Sequence, residues 1–176
     1  MAFDLNTFRQ ALKSGGARQN LFEVTLGFPP TGQSPQQFTL LCKAASIPGQ
    51  DITPIEIGYF GRKIKVAGDR TFPEWQITVI NDEDFAIRNQ FTSWSNLMNS
   101  HSANLRAETA RDLDGYQMPA TVTQYMKTGE IAKVYKFIGV FPSNVAPIDL
   151  GWETNDQIEE FQVTLQYQWW EDDFTS

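Results

Sequence analysis

Most of this chain alternates apolar and polar residues at a period of two, and only two stretches repeat at the spacing of a helix. Phe22, Val24 and Leu26 alternate with Glu23 and Thr25. Successive strand side chains point to opposite faces, so this predicts a strand with one buried face. A second alternation sets Phe38, Leu40 and Cys42 on one face and predicts another strand. The loop between them, 28–37, carries Pro29, Pro30, Gly32 and Pro35, which mark a turn rather than a domain linker. From 47 to 68 the pattern is a long hairpin, in which Ile55 and Ile57 lead into a turn at 59–61 and Ile64 and Val66 return. Trp75, Ile77 and Val79 predict a further strand. Segments 120–125 and 131–141 predict a hairpin across a turn at 127–130, with Gly139 at a bulge. The strongest alternation is the last, where Phe161, Val163, Leu165, Tyr167 and Trp169 are spaced by Gln and Thr.

The helical stretches are short. Leu5, Phe8 and Leu12 share one face of an N-terminal helix that Ser14, Gly15 and Gly16 stop. Asn81 reads as the N-cap of a helix over 82–99, with Asp82, Glu83 and Asp84 complementing the positive end of its dipole. Ile87, Phe91, Trp94 and Met98 give that helix one apolar stripe to pack on a sheet. Residues 100–119 lose periodicity and predict a surface loop. The chain thus reads as one domain, 1–176, with an N-terminal arm at 1–16.

Composition narrows the function. Charged residues are 20% of the chain and apolar residues run throughout it, so a packed core is expected rather than disorder. A net charge of -7 argues against general or sequence-specific nucleic-acid binding, which rests on Lys and Arg neutralising phosphates. Arg62, Lys63 and Lys65 form a local exception, read either as a solvated strand face or as a surface for an acidic partner. The lone cysteine, Cys42, has no partner for an internal disulfide and reads as a small core residue. No apolar N-terminal run resembles a signal peptide and no stretch approaches the roughly 20 apolar residues of a membrane span, so a cytoplasmic origin is expected.

Catalytic constellations are scarce. His101 stands in the irregular loop, and there is no phosphate-cradling loop with its Lys and Ser or Thr, no Cys pair for zinc and no HExxH. The acidic triplet 82–84 belongs to capping more readily than to a metal, and Glu159 and Glu160, adjacent along a strand, point to opposite faces. No catalytic, cofactor-binding or metal-binding residue is predicted, and an enzyme is not expected. The composition instead suggests a sheet-rich module whose edges must be covered, charged or paired with another copy.

Three blocks carry a resemblance that chooses among these: GYFGRKIKVAGDRTF at 58–72 running on to Asn81 and Glu83, FPSNV at 141–145, and IEEFQVTL at 158–165. Together they resemble the tail tube proteins of contractile-tailed bacteriophages. The resemblance implies a small barrel of two packed antiparallel sheets with one flanking helix. It implies rings of six copies stacked into a hollow tube inside a contractile sheath, a place in the virion tail and assembly in the host cytoplasm. The implied partners are further copies, the tail sheath protein, a baseplate tube initiator, and the tape-measure protein and viral DNA in the lumen. No cofactor is implied. Ring-to-ring contact is expected of the stiff 47–60 segment through Ile47, Pro48, Gln50, Ile52, Pro54, Ile55, Tyr59 and Phe60, the alternative being an ordinary core hairpin. An intersubunit arm is expected at Phe3, Leu5, Phe8 and Leu12, and a sheath-facing helix carrying Glu83 and Arg88. Lys63 and Lys65 are expected to meet a neighbouring subunit or the exterior rather than the lumen. A baseplate tube initiator, or a tube subunit of a type VI or extracellular contractile injection apparatus, would share the fold. A monomeric ligand-binding β-barrel is the competing reading from another class.

Overall fold

A computed structural model of the chain describes residues 5–12 and 16–175. Its elements are α1 (Leu5–Ala11), β1 (Phe22–Leu26), α2 (Gln36–Leu41), β2 (Cys42–Ala45), β3 (Asp51–Tyr59), β4 (Arg62–Thr71), β5 (Trp75–Ile80), α3 (Ala86–Met98), β6 (Met118–Tyr125), β7 (Ile131–Val145), β8 (Glu160–Gln166) and β9 (Trp169–Glu171). Seven strands form one antiparallel sheet in the order β1-β6-β7-β8-β5-β2, with β9 also on β7, while β3 and β4 pair only with each other.

The large sheet folds over on itself within β7, as the small-barrel expectation requires. The first part of β7 pairs with β6 and β9, and its end, from Phe141, pairs with β8. The change of partner falls at Gly139, where the register against β6 also shifts, so the expected bulge is there. Gly139 has φ +70, and a Cβ on it would lie 2.7 Å from Gln168 Cγ and 2.9 Å from Gln117 Oε1. Edge strands β1 and β2 approach each other without pairing, which leaves the barrel open along one seam.

The inward residues of both halves form one core. Val24, Val122 and Phe137 from one half meet Trp75, Ile77, Val79, Phe161, Val163 and Leu165 from the other. Trp75 stacks on Phe137 at 4.1 Å between ring centroids, and Phe28, Phe38, Phe91 and Trp94 meet edge to face. Large rings in these geometries fill the interior and add attraction beyond their buried area. The stripe of α3 enters the core through Ile87, Phe91 and Trp94, and Trp94 Nε1 donates to the Tyr116 carbonyl at 2.8 Å. Cys42 is buried as expected, and burial pushes its thiol up to about 12.

Three expectations are corrected. Residues Gln36–Leu41 form a helix, not a strand: Pro35 sits at its N-cap and its carbonyl accepts from Phe38, which is buried while Leu40 points to solvent, and Cys42, buried too, ends the helix and begins β2. The N-cap of α3 is Phe85, in the left-handed region with φ 54, not Asn81. Two carboxylates of the triplet bind nearby amides instead, Asp82 that of Glu83 and Asp84 that of Ala86, and Asn81 is buried with its Nδ2 donating to Glu159 at 2.9 Å. The last strand is two strands. At Gln168 the chain leaves β5 and donates to the Ile138 carbonyl, so β9 joins the middle of β7 at Lys136, Phe137 and Ile138, before the stretch that pairs with β8. Region 100–119 is irregular apart from two single 3₁₀ turns, Glu108–Ala110 and Leu113–Gly115, and the first residues of β6.

Candidate assembly surface

Strands β3 and β4 stand off the barrel. Their register pairs Ile55 with Val66, Ile57 with Ile64 and Tyr59 with Arg62, whereas Glu56 faces Lys65 and Gly58 faces Lys63. Directly opposed residues share a face, so the hairpin has one mainly apolar face (Ile55, Ile57, Tyr59, Ile64, Val66), with Arg62 at its tip, and one charged face. On the charged face Glu56 accepts from Lys63 at 2.7 Å and approaches Lys65 at 4.0 Å. Lys63 and Lys65 are thus solvated and paired within the hairpin; such exposed pairs contribute at most about 1 kcal/mol.

Both faces are exposed: no residue of β3 or β4 is buried. Two-stranded hairpins are marginal in water by themselves. Burying the remaining half of each of the five apolar side chains would release roughly 1 kcal/mol apiece, a total of about 5 kcal/mol, or several thousandfold in an association constant. The tip adds to this. Phe60 and Gly61 have φ of 43 and 79, a two-residue turn in which Asn or Gly is favoured, yet the position holds a Phe ring that is 91% exposed.

The root of the hairpin is fixed to the core. Trp75 Nε1 donates to the Ser46 carbonyl and Trp170 Nε1 to the Gly49 carbonyl, each at 3.0 Å, while the Phe72 ring packs on Tyr167. A rigid base under an uncovered blade suits docking, because little order remains to be lost on binding.

Of the residues expected at a ring contact, Ile55 and Tyr59 lie on the apolar face and Phe60 at the tip. Ile52 and Pro54 alternate to the other face, and Ile47, Pro48 and Gln50 precede β3. Ile47 also lines a groove of about 630 Å³ along the open seam, with Phe22, Ala45 and Val122. Ile57, Ile64 and Val66 were not among the expected contacts. The turn at Phe60 and Gly61 sets the register that places them, and that signal is in the sequence.

On the N-terminal arm, α1 buries no residue, and Leu5, Phe8 and Leu12 are all exposed; Phe3 lies outside the described residues. The expected sheath-facing pair is placed differently. Glu83 is in the turn before α3, and Arg88 is half-buried, donating to the Ala146 carbonyl at 3.3 Å with its guanidinium 5.3 Å from the Phe161 ring centre. The exposed face of α3 is Asn89, Thr92, Ser93 and Asn96, polar and uncharged.

A third exposed region is the connection between β7 and β8. It lines a groove of about 990 Å³ with Thr78 and Gln162, and holds Leu150 and Trp152 in solvent. Charged groups elsewhere serve the fold. Lys133 reaches buried Asp172 at 2.6 Å, which holds the carboxyl below its ordinary range and raises the lysine. Among the described residues, no three His, Cys, Asp or Glu side chains are grouped to hold a metal ion.

Residues 17–172 match the phage tail tube protein family. The chain is 35% identical to tail tube protein gp19 of Enterobacteria phage T4 over 92% of its own length and 96% of the relative's. Its fold is similar to that of the tube terminating cap of the anti-feeding prophage, with TM-score 0.65 at 17% identity over 91% of each chain. It is also similar to the sheath-tube complex of an extracellular contractile injection system in its extended state, with TM-score 0.56 at 15% identity over 97% of this chain and 98% of that one.

Proposed function

Because this chain belongs to the phage tail tube protein family, we propose that it builds its tube as stacked rings of six copies, with the β3–β4 hairpin making the contact between rings. The protein is a structural subunit of the tail tube, and its place is the virion tail. The observation that carries the assembly reading is the hairpin itself: an amphipathic blade exposed on both faces and anchored at its root by the buried Trp75 and the half-buried Trp170. The open seam between β1 and β2 supports it, since strand edges left unpaired in one copy are satisfied when copies close into a ring.

In this reading the protein catalyses nothing. It assembles in the host cytoplasm on a baseplate initiator, around a tape-measure protein, and the polar uncharged face of α3 meets the sheath. The tube then conducts viral DNA. A chain of charge -7 gives that polyanion little to adhere to. The inward side chains of both halves, with Trp75 stacked on Phe137, pack against each other, which favours a structural subunit over a ligand-binding barrel.

Electron microscopy of the purified chain over a range of concentrations, with its mass in solution, tests the proposal. Hollow sixfold rings or tubes, formed alone or on added baseplates, are expected. A particle that stays monomeric at every concentration and fails to extend baseplates would overturn it.

A further inference from the structure

Hairpin and groove carry opposite charge. The tip of the hairpin presents Arg62, Lys63 and Lys65 with a single carboxylate, Glu56, to offset them. Among the described residues Arg62 enters no ion pair. The groove of the β7–β8 connection is lined by Asp149, Asp156, Glu159 and Glu160 and by no Lys or Arg. Glu160 is met by Lys43 and Glu159 by Asn81, but Asp149 and Asp156 have no ion-pair partner among the described residues. Apolar groups match as well: Phe60 projects from the tip, and Leu150 and Trp152, the latter 99% exposed, stand at the groove. At about 3.3 Å per residue the nine residues of β3 reach roughly 30 Å, enough to leave the subunit that bears them.

We propose that the hairpin tip docks into the 146–162 groove of a second copy of this chain, Lys63 and Lys65 on one face of the tip and Arg62 on the other set between Asp149 and Asp156, and Phe60 lying against Leu150 and Trp152. This names the receiving surface and rests on the reading of the hairpin as the element between copies. Opposite charge orients the encounter, and aromatic burial holds it. Both halves belong to one chain, so every copy offers a tip and a groove. Such a head-to-tail contact propagates along a stack instead of closing a dimer.

The test is carbodiimide coupling of Lys to carboxylates in tubes assembled, alone or on baseplates, from an equal mixture of isotope-labelled and unlabelled chain, followed by peptide mass spectrometry. Mixed-label products joining Lys63 or Lys65 to Asp149 or Asp156 are expected. Coupling confined to Glu56 of the same copy, or to carboxylates elsewhere, would overturn the groove assignment. Charge reversal supplies a second readout. Arg62→Glu with Lys63→Glu, or Asp149→Lys with Asp156→Lys, should each raise the concentration needed for assembly about tenfold or more. All four changes in one chain should recover most of the loss, and no recovery would count against the groove. Ile57→Asp with Ile64→Asp separates the two readings. Loss of assembly in that variant, with no coupling to Asp149 or Asp156 in tubes of the unaltered chain, refutes the groove alone, and unchanged assembly of the variant refutes the hairpin contact itself.

Discussion

The strands of the barrel and the strands of the hairpin have the same kind of sequence but opposite surroundings. In β5, Trp75, Ile77 and Val79 alternate with Gln76, Thr78 and Ile80, and the first set is buried. In β3, Ile55, Ile57 and Tyr59 alternate with Glu56 and Gly58, and nothing is buried. Alternation therefore reports that a face must be covered, not what covers it. For the barrel the cover is the other half of its own sheet. For the hairpin it is absent from the single chain, and the difference divides residues that make the fold from residues that make the assembly.

Substitutions sharpen that division, and their effects on the stability of the unassembled chain should fall in a definite order. Trp75→Ala removes the stack on Phe137 and the hydrogen bond to Ser46 at the hairpin root, and should cost about 3–5 kcal/mol in chemical denaturation. A loss below about 1 kcal/mol would place the core elsewhere. Gly139→Ala puts a side chain at φ +70, where Gln168 and Gln117 crowd it, and should cost about 1–2 kcal/mol by the same measurement.

The Lys133–Asp172 pair comes next and acts through pH. Lys133 and local hydrogen bonds hold the Asp172 pKa below its ordinary value. The stabilisation is therefore present above the unfolded carboxylate value and is lost as pH falls through the folded one. Asp172→Asn should flatten the decline in melting temperature below about pH 4 while leaving the rest of the acid titration in place. An unaltered acid limb would show that the pair is not linked to folding. The smallest effect on the fold belongs to Ile57→Asp, expected within about 0.5 kcal/mol because the residue is already half exposed. The same change should have the largest effect on tube formation, read by sedimentation. A comparable drop in both would make the hairpin part of the core and break the comparison.

Much of the fold was legible. The inward sets of β1, β5 and β8, the stripe of α3, the bulge at Gly139 and the burial of Cys42 follow from period and residue type. What escaped was set by tertiary context. Phe38, Leu40 and Cys42 fit a strand, but Phe38 and Cys42 are also four apart, and Pro35 with the ring cluster around Phe28 selected the helix. Asn81 has the chemistry of a cap, yet its backbone N–H and its Nδ2 both donate to Glu159, far along the chain, which holds it at the end of β5, five residues before α3 begins. The break at Gln168 depends on where β7 changes partner, which no local pattern records.

The assembly surface was legible in outline. A hairpin with exposed isoleucines could be read from 47 to 68, but its apolar face follows only once the two-residue turn at Phe60 and Gly61 fixes the register. Arg88 is half-buried rather than on the open polar face of α3 for a general reason: a long cation on a helix can turn its stem inward and cover apolar surface, here the ring of Phe161.

Amide hydrogen exchange, compared between the free chain and assembled tubes, tests the central claim most directly. Amides of β3 and β4 should exchange rapidly in the free chain, because a two-stranded ribbon with both faces in water opens at little cost, and should become strongly protected in tubes. Amides of β5 and β8 should be protected in both states. A hairpin already as slow to exchange as the barrel in the free chain, or one that remains fast in assembled tubes, would contradict the account.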